Sequence, residues 1–343
     1  MSDERDAGLH LRLLSGLYGA TVRLRSWGYD HGLLESFKVP GLKVVSVGSL
    51  RCGGMAKTPV AVFLARHLMG KGSAVAVVIR GYRGERELPG GLVSDGEQIL
   101  LGPRQAGDEA VLLARSLPGV PVLCGADRVK QVRNAKALGA DAVVLDDGFQ
   151  HRRLGRDLDI LLVHPDDLAG RSRLLPAGPL REPTSAMARA RVLAGIRSDF
   201  ERGGEGSRAP QNLVLFDLAP TRLIGFHAEL ALDVLRGQKV FLFAAVAAPE
   251  RFRETVESLG ATVAGHRWFR DHHAYSSRDV RGLASEARTA GADMTLTTAK
   301  DKVKMDEEGW EGPALHVLEI EARVTAGLEM LTPLLASLRS GGR

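Results

Sequence analysis

Residues 43–59, Lys-Val-Val-Ser-Val-Gly-Ser-Leu-Arg-Cys-Gly-Gly-Met-Ala-Lys-Thr-Pro, set a lysine and a threonine directly behind a glycine-bearing turn that follows an apolar run. The order predicts strand, loop and helix, an arrangement suited to binding phosphate. Loop N–H groups and the helix N-terminus would face the phosphate oxygens, the Lys57 ammonium would reach the β and γ phosphates, and the Thr58 hydroxyl would ligate Mg²⁺. The usual spacing asks for glycine six residues before the lysine and again immediately before it; here those positions hold Arg51 and Ala56. An ordinary strand-to-helix turn, with Gly53 and Gly54 only relieving backbone strain, would use the same residue types.

A second feature favours phosphate chemistry. Residues 142–151 read Ala-Val-Val-Leu-Asp-Asp-Gly-Phe-Gln-His, an apolar strand that ends in two carboxylates. An aspartate at a strand end beside such a loop can hold Mg²⁺ or its waters, although Asp-Gly also opens turns. Between loop and strand lies Gly107-Asp108-Glu109, a carboxylate pair at a predicted helix start, where the helix dipole favours negative charge. Farther on, residues 268–275 carry the adjacent His272 and His273. No third ligand stands at a regular spacing, so a histidine acting with a carboxylate as proton acceptor is the better reading than a zinc site.

The elements that would position these residues alternate. Helices are predicted at 59–69, 108–117 and 127–138, and strands at 74–79, 120–124, 142–145 and 159–163. Continuous apolar strands of this kind are buried on both faces of a parallel sheet, and strands alternating with helices indicate a doubly wound α/β domain. Ligands of such sheets sit at the carboxyl ends of the strands. Residues 201–211 are polar and glycine-rich and predict a loop or linker. A second βα pattern follows, with strands at 240–245, 294–298 and 315–320 and a helix at 249–259. The expected organisation is an N-terminal helix over 1–35, a nucleotide domain over 36–205, and a linker with a smaller α/β domain over 206–343.

A chain of 343 residues has room for two domains, and 44% hydrophobic with 25% charged residues places it among globular proteins. Two cysteines offer neither a metal-ligand spacing nor a disulfide framework, which fits a reducing compartment. The net charge of +5 comes from scattered arginine, not from lysine blocks with interleaved aromatics, so it argues for phosphorylated substrates or an anionic lipid surface and against nucleic acid. Leu9, Leu13, Leu17 and Leu24, with Leu14, Tyr18 and Val22, predict a helix with one broad apolar face, and Arg12, Arg23 and Arg25 interrupt it. Its uncharged run, residues 13–22, is about half the ~20 residues that span a bilayer. It would lie in a membrane interface, with Trp27 and Tyr29 at its end, or pack on its own domain.

Taken in order, these segments resemble the tetraacyldisaccharide 4′-kinase family of lipid A biosynthesis. The resemblance covers nearly the whole chain: the N-terminus, the loop at 47–59, Arg80-Gly81-Tyr82, Gly107-Asp108-Glu109, Asp127-Arg128, residues 146–153 and 173–183, 269–275, and Thr297-Thr298-Ala299-Lys300-Asp301. Asp-Asp-Gly-Phe-Gln-His and Leu-Leu-Pro-Ala-Gly-Pro-Leu-Arg-Glu-Pro are its most specific strings. The resemblance implies a P-loop NTPase-like kinase with a smaller C-terminal α/β lobe. Such a kinase uses ATP and Mg²⁺ to phosphorylate the 4′-hydroxyl of a lipid disaccharide 1-phosphate at the cytoplasmic face of a Gram-negative inner membrane. The N-terminal helix would touch the membrane, and no obligate protein partner is implied. By the family pattern, Arg51, Cys52, Gly53, Gly54, Met55, Ala56, Lys57 and Thr58 embrace the ATP phosphates. Thr58 and Asp146 hold Mg²⁺, Asp108 paired with His272 takes the hydroxyl proton, and Glu109, Arg128, Asp147, His151, Arg181 and Glu182 line the phosphosugar site.

Ala56, Met55, Ser49 and Ala299 depart from the family pattern, where glycine, threonine, asparagine and glutamate are usual. Two other readings follow: a degenerate relative that binds nucleotide or lipid without turnover, and a P-loop ATPase that switches a partner at a membrane surface. Lys57, Thr58, Asp108, Asp146 and His272 together argue for an active kinase, since a binding module needs no base.

Overall fold

The computed structural model describes residues 8–202, 210–225, 228–305 and 309–338. Most of the expected linker, and the boundary at 205/206, lie outside the described residues. Thirteen strands occur among the described residues: β1 Lys43–Ser49, β2 Val75–Ile79, β3 Gly91–Ser94, β4 Val122–Cys124, β5 Ala142–Asp146, β6 Leu158–Leu162, β7 Val192–Ile196, β8 Leu213–Ile224, β9 Glu229–Leu230, β10 Lys239–Ala244, β11 Thr262–Trp268, β12 Met294–Thr298 and β13 Leu315–Ala326. They form one sheet in the order β11-β10-β12-β13-β8-β7-β6-β1-β5-β2-β4-β3, with β9 on β8.

The run from β8 through β4 is parallel, and so is the run from β11 through β13. The two runs meet where β8 and β13 pair antiparallel. β1 is the central strand of the first half because nearly every residue in it is apolar or small and buried. Its alternate residues face opposite layers. Val45 and Val47 pack with Val60, Ala61 and Leu64 of the helix α2 (Lys57–Gly70), while Val44 joins Val129, Val132 and Ala135 of the helix Arg128–Ala137. In the second half, Phe241 and Phe243 of β10 pack on the helix Ser277–Thr289 and Leu242 on the opposite layer with Val256.

The N-terminal helix α1 spans Leu9–Asp30. Polar contacts tie it to the body: Ser15 Oγ donates to Leu174 O at 2.9 Å, Tyr18 Oη to Arg181 O at 2.8 Å, and Arg25 to Gln150 O at 2.9 Å. Its leucines are not core. Leu9, Leu13, Leu17 and Leu24 are 74, 64, 67 and 67% exposed. No helix among the described residues is long and apolar enough to cross a membrane.

Candidate active site

After β1 the chain turns through residues 50–56 into α2. The turn is braced from the side, since the Cys52 N–H donates to Pro179 O at 2.9 Å and the Arg181 N–H to Leu50 O at 2.6 Å. Gly53 has φ 92°, and Ala56, the N-cap of α2, is left-handed at φ 55° and ψ 27°. That conformation costs an alanine roughly 1 kcal/mol. Against this, Met55 and Ala56 pack on the apolar cluster that holds Val60 and Leu64, and a fully buried methyl contributes about 0.8 kcal/mol. Ala56 is only partly buried, so packing offsets the strain in part and the net cost stays below about 1 kcal/mol, small enough for alanine to occupy a position where the pattern asks for glycine. Ala56→Gly is therefore expected to move Tm by no more than about 2 °C and to leave the KM for ATP close to wild type. A tenfold change in KM, read in a steady-state assay, would show that the methyl does reach the nucleotide.

The carboxylate strand lands beside this turn. A Cβ on Gly48 would lie 2.4 Å from Cβ of Phe149, so only glycine lets the segment after β5 press on the end of β1. Thr58 Oγ1 donates to Asp146 Oδ2 at 2.8 Å. Asp146 is 1% exposed, and its Oδ1 has no hydrogen-bond partner. Burial, and then the negative charge of Glu109, push its carboxyl up to about 7. A buried carboxylate with a spare oxygen next to a hydroxyl is a hard-oxygen donor set, suited to a cation that also takes phosphate and water ligands. Thr58 and Asp146 thus fit Mg²⁺.

Asp147, left-handed at φ 53°, gathers the cations. Arg181 grips it with two hydrogen bonds of 2.7 and 2.9 Å and also donates to Ser49 O at 2.8 Å. Lys57 Nζ lies 3.7 Å from Asp147 Oδ1 and donates to Gly53 O at 3.3 Å. Burial would raise the Asp147 carboxyl, but the Arg181 hydrogen bonds and the Lys57 charge outweigh it and hold it low.

The second half supplies the other cluster. Asp108 opens the helix Asp108–Ser116, and His272 Nδ1 lies 2.9 Å from its Oδ2 and 3.2 Å from its Oδ1. Lys300 Nζ is 3.2 Å from each of His272 Nε2, Glu109 Oε1 and Asp271 Oδ1. An ammonium has no acceptor, so Lys300 donates to Nε2, and the imidazole proton sits on Nδ1, donated to Asp108. Burial pushes the Asp108 carboxyl up, but the His272 hydrogen bond and the Lys300 charge win and hold it below the ordinary value. Burial likewise opposes the Lys300 charge, and Glu109, Asp108 and Asp271 overcome it, raising Lys300. The result is an ionised carboxylate fixed by a neutral imidazole and a paired ammonium, able to accept one proton.

The remaining expected residues divide. Arg128 is buried, donates to Gly125 O, and is pushed down to about 10 by burial. His151 is pushed down to about 4 by burial and by Arg128, with its Nε2 buried and unpartnered. Arg51 turns its side chain to Asp167 and Ser172, both at 2.8 Å. Glu182 is 3% exposed and accepts from Arg189 at 2.7 Å. Cys52 is exposed. Lys300 and Asp271 had no assigned role in the sequence. Their signal was position, since Lys300 follows the carboxyl end of β12, where ligands of such sheets gather.

Comparison with known proteins agrees with this geometry. The family model described as "LpxK: Tetraacyldisaccharide-1-P 4'-kinase" matches residues 7–338. A tetraacyldisaccharide 4'-kinase of Syntrophus aciditrophicus (strain SB) is 40% identical over 321 residues, covering 88% of this chain and 86% of the relative. One of Anaeromyxobacter dehalogenans (strain 2CP-C) is 40% identical over 347 residues, covering 96% and 90%. Among solved structures, the "apo" form of LpxK from Aquifex aeolicus in complex with ATP superposes with a TM-score of 0.79 at 30% identity, covering 95% of this chain and 97% of that one.

Proposed function

Because the chain belongs to the tetraacyldisaccharide-1-P 4′-kinase family, we propose that it transfers the γ-phosphoryl group of ATP to the 4′-hydroxyl of a tetraacyl disaccharide 1-phosphate. The observation that carries this reading is the Asp108–His272 pair, 2.9 Å apart, linked to the Asp146 site through Glu109, which accepts from Lys300 beside His272 and whose charge acts on Asp146. Asp108 takes the proton as the acceptor oxygen bonds to γ-phosphorus and the bond from γ-phosphorus to the β–γ bridging oxygen breaks, releasing ADP. Lys300 occupies Nε2 of His272, which leaves Asp108 as the acceptor and makes His272 its positioning partner. Lys57 neutralises phosphate charge, and Asp147 with Arg181 holds the lysine end of the loop in place. Mg²⁺ at Thr58 and Asp146 would neutralise the rest; phosphoryl transfer needs such positioning more than covalent help.

The loop and Asp108 belong to residues 36–205 and His272 to 206–343, so in this reading the two parts act as lobes whose approach completes the site and keeps out water. The exposed leucines of α1 favour a helix seated in the membrane interface, at the cytoplasmic face of a Gram-negative inner membrane where ATP is present. Glu109, Arg128, Asp147, His151 and Arg181 would contact or frame the phosphosugar.

The test is transfer of radiolabel from [γ-³²P]ATP with Mg²⁺ to a tetraacyl disaccharide 1-phosphate in detergent. The expected result is label in the lipid and little phosphate release when lipid is omitted. ATP hydrolysis that does not depend on lipid would instead support a switch ATPase, and nucleotide binding without either product would support a degenerate relative.

A further inference from the structure

A hollow of about 370 Å³ lies between α1 and the loop at residues 173–177, lined by Arg12, Ser15, Gly16, Arg23, Arg173 and Leu174. Among the described residues no carboxylate lines it. Among the described residues, none of these three guanidinium groups makes a hydrogen bond or an ion pair, and Nη1 of Arg173 is buried without a partner. Neighbouring arginines behave differently: Arg25 donates to Gln150 O, Arg152 to Asp30, and Arg181 to Asp147. Three cations that share one hollow repel one another, and the buried N–H of Arg173 lacks a partner, so an anion bound there would be stabilised by both.

The position says which anion. Arg12, Gly16, Gly19 and Arg23 are spaced four, three and four apart and share one face of α1; the exposed Leu9, Leu13, Leu17 and Leu24 form the stripe beside it. Gly16 leaves the floor open, since a Cβ there would meet nothing within 4 Å. The three arginines therefore flank an exposed apolar stripe, as cations do at the phosphate level of an interface whose acyl layer takes the leucines. We propose that the Arg12–Arg23–Arg173 hollow is a binding site for a lipid-borne phosphate. The same chemistry has two sources, the 1-phosphate of the disaccharide substrate and the headgroup of an anionic phospholipid. The proposal rests on the reading of α1 as the membrane-facing helix.

The test compares wild type with the triple variant Arg12→Gln, Arg23→Gln, Arg173→Gln, and with Gly16→Glu. The glutamate places a carboxylate in the hollow without removing an arginine, and it replaces glycine inside a helix, so it keeps the measurement valid should the triple variant fold poorly. If the substrate is the source, both variants raise the KM for the 1-phosphorylated disaccharide about tenfold, well beyond the change for the same disaccharide lacking that phosphate. If phospholipid is the source, both lose binding to mixed phosphatidylcholine–phosphatidylglycerol vesicles by about a hundredfold for the triple variant, with pure phosphatidylcholine binding altered far less. Changes below about twofold in both arms would overturn the site. The vesicle arm needs no turnover, so it stands apart from the kinase assay. Wild type that binds neither vesicle, with the KM effect still present, would remove the membrane reading and leave the phosphate site intact.

Discussion

Asp108→Asn is expected to lower kcat by roughly 10²–10⁴-fold with little change in the KM for ATP. The amide keeps the size of the carboxylate and leaves the phosphate loop untouched, but it cannot accept the hydroxyl proton. His272→Ala should fall in the same direction, because Asp108 would lose the hydrogen bond that fixes it. His273 is a control supplied by the fold: it stacks on Phe269 with ring centroids 4.5 Å apart, and its Nε2 lies 3.3 Å from Asp279 instead of Asp108. Single-turnover phosphoryl transfer separates these two variants from His273→Ala, which should stay near wild type. Equal losses at His272 and His273 would sink the pairing, and an unimpaired Asp108→Asn would place the proton acceptor elsewhere.

Asp146→Asn should abolish most activity yet stabilise the protein free of nucleotide and metal. The carboxyl is raised to about 7 by burial and by Glu109, far above an unfolded aspartate at about 3.9. The sign follows from proton binding. Between those two values the folded chain holds a proton that the unfolded chain has released, so wild-type stability falls as pH rises through this window and levels off above about 7. Asparagine does not titrate, so its advantage is small near pH 4 and grows to the order of a few kcal/mol by pH 8. Thermal melts in EDTA across that range would show it, and a Tm difference independent of pH would contradict a buried, metal-seeking carboxylate. Loss of charge at the cation site should lower kcat by about 10²–10³-fold.

The parts of the fold legible in the sequence are those where burial on both faces leaves an unbroken apolar run. β2 and β5 are of this kind, β1 and β6 are interrupted only by Ser46 and Asp159, and the helices between them carry the matching 3.6-residue period. β8 and β11 were not legible. β8 is apolar only over Leu213–Phe216 and is then broken by Asp217 and Pro220, and β11 is an edge strand that alternates exposed and half-buried residues, so neither shows an apolar run along its length. The continuity of the sheet through the β8–β13 pair depends on contacts about a hundred residues apart, which no local pattern records. In the site, Lys57, Thr58, Asp146 and Asp108 were legible because a loop or a strand end fixes where such residues must point. Lys300 and Asp271 were not, since their meaning comes from carboxylates and an imidazole delivered by other elements. Arg51 and Glu182 also stand in informative strings, but the pairing of their side chains with Asp167 and Arg189 has no local pattern that would announce it.

Among the described residues, the non-glycine residues with positive φ are Ala56, Arg83, Asp147 and His272. Three belong to the site, and the fourth follows Tyr82, whose ring meets His272 edge-on at 6.0 Å. Each such residue costs on the order of 1 kcal/mol, which the surrounding sheet must supply. For anyone seeking a heat-tolerant form, this divides the molecule into two kinds of ground. Glycine at Asp147 or His272 would ease the backbone and discard a side chain of the proposed site, whereas the exposed positions of the outer helices can be improved without touching that site.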